Sequence, residues 1–145
     1  MEFGSVLKNV TKPTLMLDEK TARQNIHIMA AKAKKLSVSF RPHFKTHQSA
    51  QIGEWFRDVG VTRITVSSLE MAEYFMEHDW RDILVAFPIN WREIQSIRQL
   101  AYSTHLGLLV DSLESAQFLA ENLNEKSDVW IKIDTGFGRA GIHWQ

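Results

Sequence analysis

No cysteine occurs anywhere in the chain. That excludes disulfide bonds and thiolate metal ligands within it and is compatible with a reducing compartment. A surplus of charge is missing as well: lysine plus arginine and aspartate plus glutamate both count 17, and the sequence pI is near 7.0. Without a global field the chain has no means of drawing in nucleic acid or an anionic membrane, and neither is expected as a partner. Long apolar runs are also lacking. Nothing approaches the roughly 20 apolar residues of a membrane span, and the polar lead MEFGSVLKNV has no apolar signal core. A cytoplasmic location is the default expectation. Within that lead, Glu2–Ser5 is compatible with a cloning remnant, and nothing in the sequence decides it.

What is present alternates regularly. Thr14 to Leu17 is a short extended piece, and Asp18 is placed to cap a helix on Ala22, Ile26, Met29, Ala30, Ala33 and Leu36. Lys32, Lys34 and Lys35 gather where cations suit the helix dipole. Val38 and Phe40 alternate with serines, which predicts a strand over Val38 to Arg41, ended by Pro42. A helix from about Ser49 to Val59 follows, burying Ile52, Trp55, Phe56 and Val59 and closed by Gly60. Three further strand-helix units come next: Arg63 to Ser67 with a Ser67/Glu70 capping box and a helix on Leu69, Ala72, Phe75 and Met76; Ile83 to Phe87 with a helix opened by Asn90 and Glu93; and Leu106 to Val110 with a helix opened by Asp111 and Glu114. Val129 to Ile133 is the last strand. Strands recur roughly 19 to 26 residues apart with a helix between each pair, the pattern of a parallel α/β sheet. The strand cores ILVAF and LGLLV are continuous apolar runs, as expected where both sheet faces are buried. Neither a break in composition nor a residue-level repeat divides the chain.

The densest chemistry lies just past the first predicted strand, where Arg41, His43, Lys45 and His47 cluster. Ligands collect at the carboxyl ends of strands in open α/β sheets and in β/α barrels. A lysine there can attack an aldehyde once it is neutral, and a neighbouring cation such as Arg41 favours the neutral form by repulsion. Solvated basic residues on a strand-to-helix loop are the plainer reading of the same cluster. His43 and His47 form an H-x-x-x-H pair, but without a third ligand it makes a weak metal site. Orienting Lys45 or a bound ring is their functional reading, ordinary hydrogen-bonded loop histidines the structural one. His27, His78 and His105 receive no role, and the five tryptophans are not spaced like a stacking platform.

Near the other end, GFGRAG (Gly136 to Gly141) matches a dinucleotide fingerprint. That motif needs a helix opening on it and an acidic residue about 20 positions on, so a tight positive-φ loop is the better reading. Asp134 and Thr135 are expected to shape that loop, and Lys132 and Asp134, two apart on a strand, share a face on which they could pair.

The segment RPHFKTH, Arg41 to His47, resembles the RPHxKTHK signature of the D-threonine aldolase and eukaryotic-type D-serine dehydratase family, fold-type III pyridoxal phosphate enzymes related to alanine racemase. KPTLMLDEKTARQNI (Lys12 to Ile26) resembles the entry segment of that family, and IKIDTGFGRAGI (Ile131 to Ile142) resembles its K-x-D-T-G-x-x-R-x-G element. Gln48 departs from the pattern, standing where the family usually has a second lysine.

The resemblance implies the N-terminal portion of a pyridoxal phosphate-dependent (β/α)8 barrel, about five parallel strands with intervening helices. A whole barrel takes about 250 residues. The expectation is therefore one partial barrel domain over 1–145, with the C-terminal half of the barrel and a β-rich domain absent. It further implies that Lys45 carries pyridoxal phosphate as a Schiff base and later acts as a base at the substrate Cα, and that Arg139 contacts the phenolic oxygen of the cofactor. His43 and His47 would assist in holding it. The implied activity is a lyase on a β-hydroxy D-amino acid, of the D-threonine aldolase or D-serine dehydratase type, in a truncated and inactive segment. A non-enzymatic pyridoxal phosphate carrier, an amino acid racemase and a flavodoxin-like nucleotide-binding domain are the alternatives. A divalent metal is implied for the intact enzyme, with its ligands outside this chain. The open sheet edges of a half barrel invite a homodimer.

Overall fold

A computed structural model describes Gly4 and residues 7–144 of the chain. Of the Glu2–Ser5 tetrapeptide only Gly4 falls among them. Helix α1 (Glu19–Lys35) starts where Asp18 accepts hydrogen bonds from the backbone N–H and the hydroxyl of Thr21, at 3.0 and 2.7 Å. Those bonds, the backbone one foremost, hold the Asp18 carboxyl below its ordinary range. The apolar face foreseen for α1 is mostly not buried: Ile26 is the buried residue of the helix, while Met29 and Leu36 are exposed. The helix lies at the rim of the fold and touches α2 (Ala50–Arg57) through Arg23, whose guanidinium sits 4.4 Å from the Trp55 ring centroid and pairs with Asp58.

The centre is a parallel sheet of β1 (Arg63–Val66), β2 (Asp82–Pro88), β3 (His105–Val110) and β4 (Asp128–Ile131), in that spatial order. Helices α3 (Leu69–Glu77), α4 (Ile94–Ser103) and α5 (Leu113–Asn122) connect them. Alternation assigns the two faces of the sheet. Ile64, Val66, Ile83, Val85, Leu106, Leu108 and Val110 belong to the main core with Phe75, Ile97, Leu100 and Leu119 of the helices. Thr65, Leu84, Gly107, Leu109 and Trp130 occupy the opposite face. A Cβ on Gly107 would lie 2.9 Å from Leu84 Cδ1 and 3.4 Å from the Trp130 indole nitrogen, so the glycine leaves room for both side chains.

The strand expected over Val38 to Arg41 is not formed as a strand. One parallel bridge, His43 to Thr65, made with the bond from Thr65 N–H to the Pro42 carbonyl, attaches the backbone of this segment to β1. Proline has no N–H to continue a ladder, Ser37 just before the segment has a left-handed φ of 53°, and Val38 is exposed. The last expected strand, Val129 to Ile133, is interrupted at Lys132 and resumes as β5 (Ile133–Asp134), which pairs in parallel with β6 (Ile142–His143). Lys132 joins the two pieces, donating to the Val110 carbonyl and accepting from Ile142, both at 2.8 Å. Counting the His43 bridge, parallel segments thus follow one another across the sheet in chain order.

Two cap assignments move by one residue. Ser68, not Ser67, accepts the N–H of Met71, and Ser112, not Asp111, accepts that of Ser115. Asn90 caps a 3-10 turn, Trp91–Glu93, ahead of α4. Gly60 ends α2 as foreseen: φ is +84°, and the bonds Gly60 N–H to Arg57 and Val61 N–H to Phe56 form a Schellman closure. Among the described residues no helix is long and apolar enough to cross a membrane.

The segment carrying His43 is held instead by Phe44, which is fully buried among Phe56, Phe75 and Trp80, with ring centroids 4.9 to 5.1 Å away. Gly53 of α2 makes this possible: a Cβ there would stand 3.3 Å from both the Phe44 ring and the Trp80 indole nitrogen. Phe44→Ala should lower stability by about 3–5 kcal/mol, the range for truncating a buried aromatic. Urea unfolding followed by tryptophan fluorescence reads this directly, and a loss below about 1 kcal/mol would mean that the site collapses around the smaller side chain.

Candidate functional site

Lys45 lies in a single 3-10 turn, Phe44–Thr46, between the His43 bridge and α2. The turn follows the extended segment at the carboxyl end of the sheet. Its backbone is fastened on both sides: Lys45 N–H donates to His43 Nδ1 at 3.3 Å, and the Lys45 carbonyl accepts from Gln48 Nε2 at 3.2 Å. Gln48 itself has a left-handed φ of 46° and donates its N–H to the Phe44 carbonyl. Phe44 points into the core and Lys45 out of it. The Lys45 side chain is exposed and forms no ion pair among the described residues.

Arg41 is not the cation that acts on Lys45. Its guanidinium turns toward the start of β2, where Nη2 meets Asp82 at 2.6 Å and Nη1 donates to the Ile64 carbonyl at 3.0 Å; Arg63 approaches the same carboxylate. Its charge is thereby balanced away from the lysine turn. His43 does share an environment with Lys45. Burial first, and the lysine charge second, push its imidazole below the ordinary histidine value.

His47 turns inward. Its ring lies 4.5 Å from Phe44 and is stacked on Phe56 at 5.7 Å, Nδ1 accepts from the Ser49 N–H, and Nε2 is buried without a hydrogen-bond partner among the described residues. Burial among these rings lowers its pKa. The structure therefore brings His43 to Lys45 and sends His47 into the aromatic cluster behind it. Periodicity could have signalled this, since Phe44 is the apolar residue inside an otherwise polar run.

Arg139 stands on the loop between β5 and β6, exposed, with its guanidinium 5.5 Å from the Phe137 ring centroid. Together with Lys132, Asp134, Thr135 and Phe137 it lines a shallow pocket of about 300 Å³. Asp134 organises this loop, as expected: its carboxylate accepts the N–H groups of Gly136, Phe137 and Gly138 at 2.9 to 3.1 Å. These bonds, that of Gly138 foremost, hold the carboxyl below its usual value. Asp134 forms no pair with Lys132. Gly136, Gly138 and Gly141 all have positive φ, and a Cβ on Gly141 would lie 2.8 Å from the Asp134 nitrogen. The loop leads into β6 and opens no helix, so the dinucleotide reading lacks its structural context. A more apolar cavity of about 280 Å³ between α3 and α4, lined by Leu69, Val85, Phe87, Ile97 and Leu108, contains none of these cations.

Residues 17–145 match the family model described as "Alanine racemase, N-terminal domain". The chain is 31% identical to a D-serine dehydratase of Dictyostelium discoideum, over 97% of this chain and 38% of that protein. It is 33% identical to a D-threo-3-hydroxyaspartate dehydratase of Delftia sp. (strain HT23), over 94% of this chain and 37% of that one. Among solved structures, a D-threonine aldolase from Filomicrobium marinum superposes with a TM-score of 0.87 at 26% identity, covering 94% of this chain and 38% of that one. The chain thus spans under two fifths of the length of each.

The Asp134 loop yields two expectations. Gly141→Ala has no room beside the β5 backbone, so β6 should detach and the amides of Gly136, Phe137 and Gly138 should lose protection in hydrogen exchange, with β1 to β3 unaffected. Asp134 contributes stability that is complete above its ordinary carboxylate value of 3.8 and is lost as the pH falls through its lower folded value. An Asp134→Asn variant should therefore lose part of the acid limb of the stability profile, measured by urea midpoints between pH 6 and pH 2.5.

Proposed function

Because the chain belongs to the family of the alanine racemase N-terminal domain, we propose that it is the lysine-bearing part of a pyridoxal phosphate-dependent lyase acting on a β-hydroxy D-amino acid, by retro-aldol cleavage or dehydration. The observation that carries this reading is Lys45: an exposed amine without an ion pair among the described residues, on a turn whose backbone is fixed on both sides, at the carboxyl end of a parallel sheet. Residues 1–145 then form part of one barrel domain, and the complete activity belongs to a longer assembly, a reading supported by the 38% and 37% of two relatives that the chain covers. On the same reading a divalent metal is held by residues beyond these.

The residues present fit the cofactor. Lys45 offers the amine that an aldehyde requires. Arg139 offers a guanidinium with no carboxylate partner among the described residues, suited to a phenolic oxygen that carries negative charge. The His43 bridge counts as the first strand and β4 with β5 as the fifth; in a closed eight-stranded barrel these stand opposite one another, so both loops face the mouth. Bound pyridoxal phosphate supplies an electron sink for charge developing at the substrate Cα. The tasks of this chain are to hold that group through Lys45, to keep its ring oxygen anionic through Arg139, and to move a proton at Cα with the lysine amine once released. His43, beside Lys45 and held neutral by burial, adds no second positive charge to the turn. His47 supports the turn from behind.

Titrating the purified chain with pyridoxal phosphate should produce an absorbance band near the visible edge. After borohydride treatment, peptide mapping should find the adduct on Lys45, and the band should be lost in Lys45→Ala. Adducts scattered over Lys32, Lys34, Lys35 and other surface lysines would contradict the proposal.

A further inference from the structure

We propose that His43 and His47 are positioning residues for Lys45, a pair of neutral imidazole caps that clamp its turn from both sides through their Nδ1 atoms. The inference rests on the reading of Lys45 given above and adds the device that presents it. Each histidine accepts the backbone N–H two residues further on: Lys45 N–H to His43 at 3.3 Å and Ser49 N–H to His47 at 3.2 Å. The same short-range geometry therefore occurs twice, four residues apart, with Phe44 driven into the core between them. The first cap sets the start of the 3-10 turn that contains Lys45; the second sets Ser49, whose own hydroxyl caps α2 by accepting the N–H of Ile52. Phe44 fixes where the turn sits, and the imidazoles fix how its backbone is oriented.

Such a cap works in one protonation state. An imidazole accepts through Nδ1 only when that nitrogen has no proton, which places the single proton of the neutral ring on Nε2. For His47 that N–H is buried among Phe44, Phe56 of α2 and Phe75 of α3, at centroid distances of 4.5, 5.7 and 6.2 Å, and finds no acceptor among the described residues. None of these neighbours is charged, so a protonated ring there is desolvated without compensation. For His43 the charge that acts on it is that of Lys45, and Arg41 is taken up by Asp82. Both environments favour the neutral ring, and both imidazoles titrate below their ordinary value of 6.5. The sign follows: the unfolded chain binds protons near that value which the folded turn resists. The clamp is complete above it, and its contribution is lost as the pH falls toward the folded values.

The test is nitrogen-resolved NMR of the whole chain without cofactor, from pH 8 down to the onset of acid unfolding. Both rings should carry the proton on Nε2. The Lys45 amide should titrate with His43 and the Ser49 amide with His47, each with a midpoint below 6.5. In His43→Asn, whose Oδ1 still accepts an N–H two residues on but does not titrate, the Lys45 amide should keep its position and lose its titration. In His47→Phe, which keeps the aromatic packing and removes the acceptor, the Ser49 amide should shift at every pH. In parallel, the preference of pyridoxal phosphate for Lys45 over Lys32, Lys34 and Lys35 should fall roughly three- to tenfold in His43→Phe, as for one lost hydrogen bond, and recover in His43→Asn. Protons found on Nδ1, or amides that ignore the two rings, would overturn the clamp. Intact amide titrations with no preference for Lys45 would support the clamp and overturn the cofactor reading instead.

Discussion

The burial of Phe44 is the interaction on which the site depends. The backbone of the segment before it contributes a single bridge to β1, with one side-chain bond from Arg41 to the Ile64 carbonyl, too little to hold a loop by ladder hydrogen bonds. Packing does the work instead. A fully buried phenylalanine is worth about 1.5–3 kcal/mol in area removed from water, and here it meets Phe56 from α2, Phe75 from α3 and the Trp80 ring between α3 and β2. One side chain thus ties the loop to several elements at once. Because Lys45 is the next residue, fixing Phe44 inward fixes Lys45 outward.

Charge is sorted along the strands. At their amino ends Arg41, Arg63 and Asp82 form one cluster, and His105 meets Asp128 at 2.8 Å in another. At their carboxyl ends stand Lys45 and Arg139, without ion pairs among the described residues, while Asp134 is spent on loop N–H groups. In β/α barrels the amino end serves stability and the carboxyl end chemistry, and this division follows the same line. An Arg41 directed at Lys45 would have mixed the two. The Asp82 carboxylate prevents it.

The β-α alternation, the Lys45 loop, the Gly60 closure and the loop-shaping part of Asp134 were all legible in the sequence, because each rests on local periodicity or on one residue's backbone preference. The rest depended on partners distant in sequence. Alternation in Val38 to Arg41 predicted a strand, but strand formation needs a neighbour able to pair, and Pro42 and Ser37 limit that pairing to a bridge. Serines and acids adjacent to one another made Ser67 and Asp111 as plausible as caps as Ser68 and Ser112; only backbone geometry chooses. The partner of Arg41 lies 41 positions away. His47 faces inward because Phe56 and Phe75 arrive from two helices. β6 was missed because parallel strands usually need a longer crossover, and this loop manages with positive-φ glycines and one aspartate.

Packed through Phe44, the lysine turn is part of the rigid core and not a surface loop. Native-state hydrogen exchange of the Thr65 and Gln48 amides tests it most directly, since these donate to Pro42 and Phe44 on either side of the turn. Both should exchange with the same opening free energy as the Ile83 and Leu106 amides at the centre of the sheet. Exchange of Gln48 and Thr65 at the rates of an unstructured loop, with Ile83 and Leu106 still protected, would contradict it.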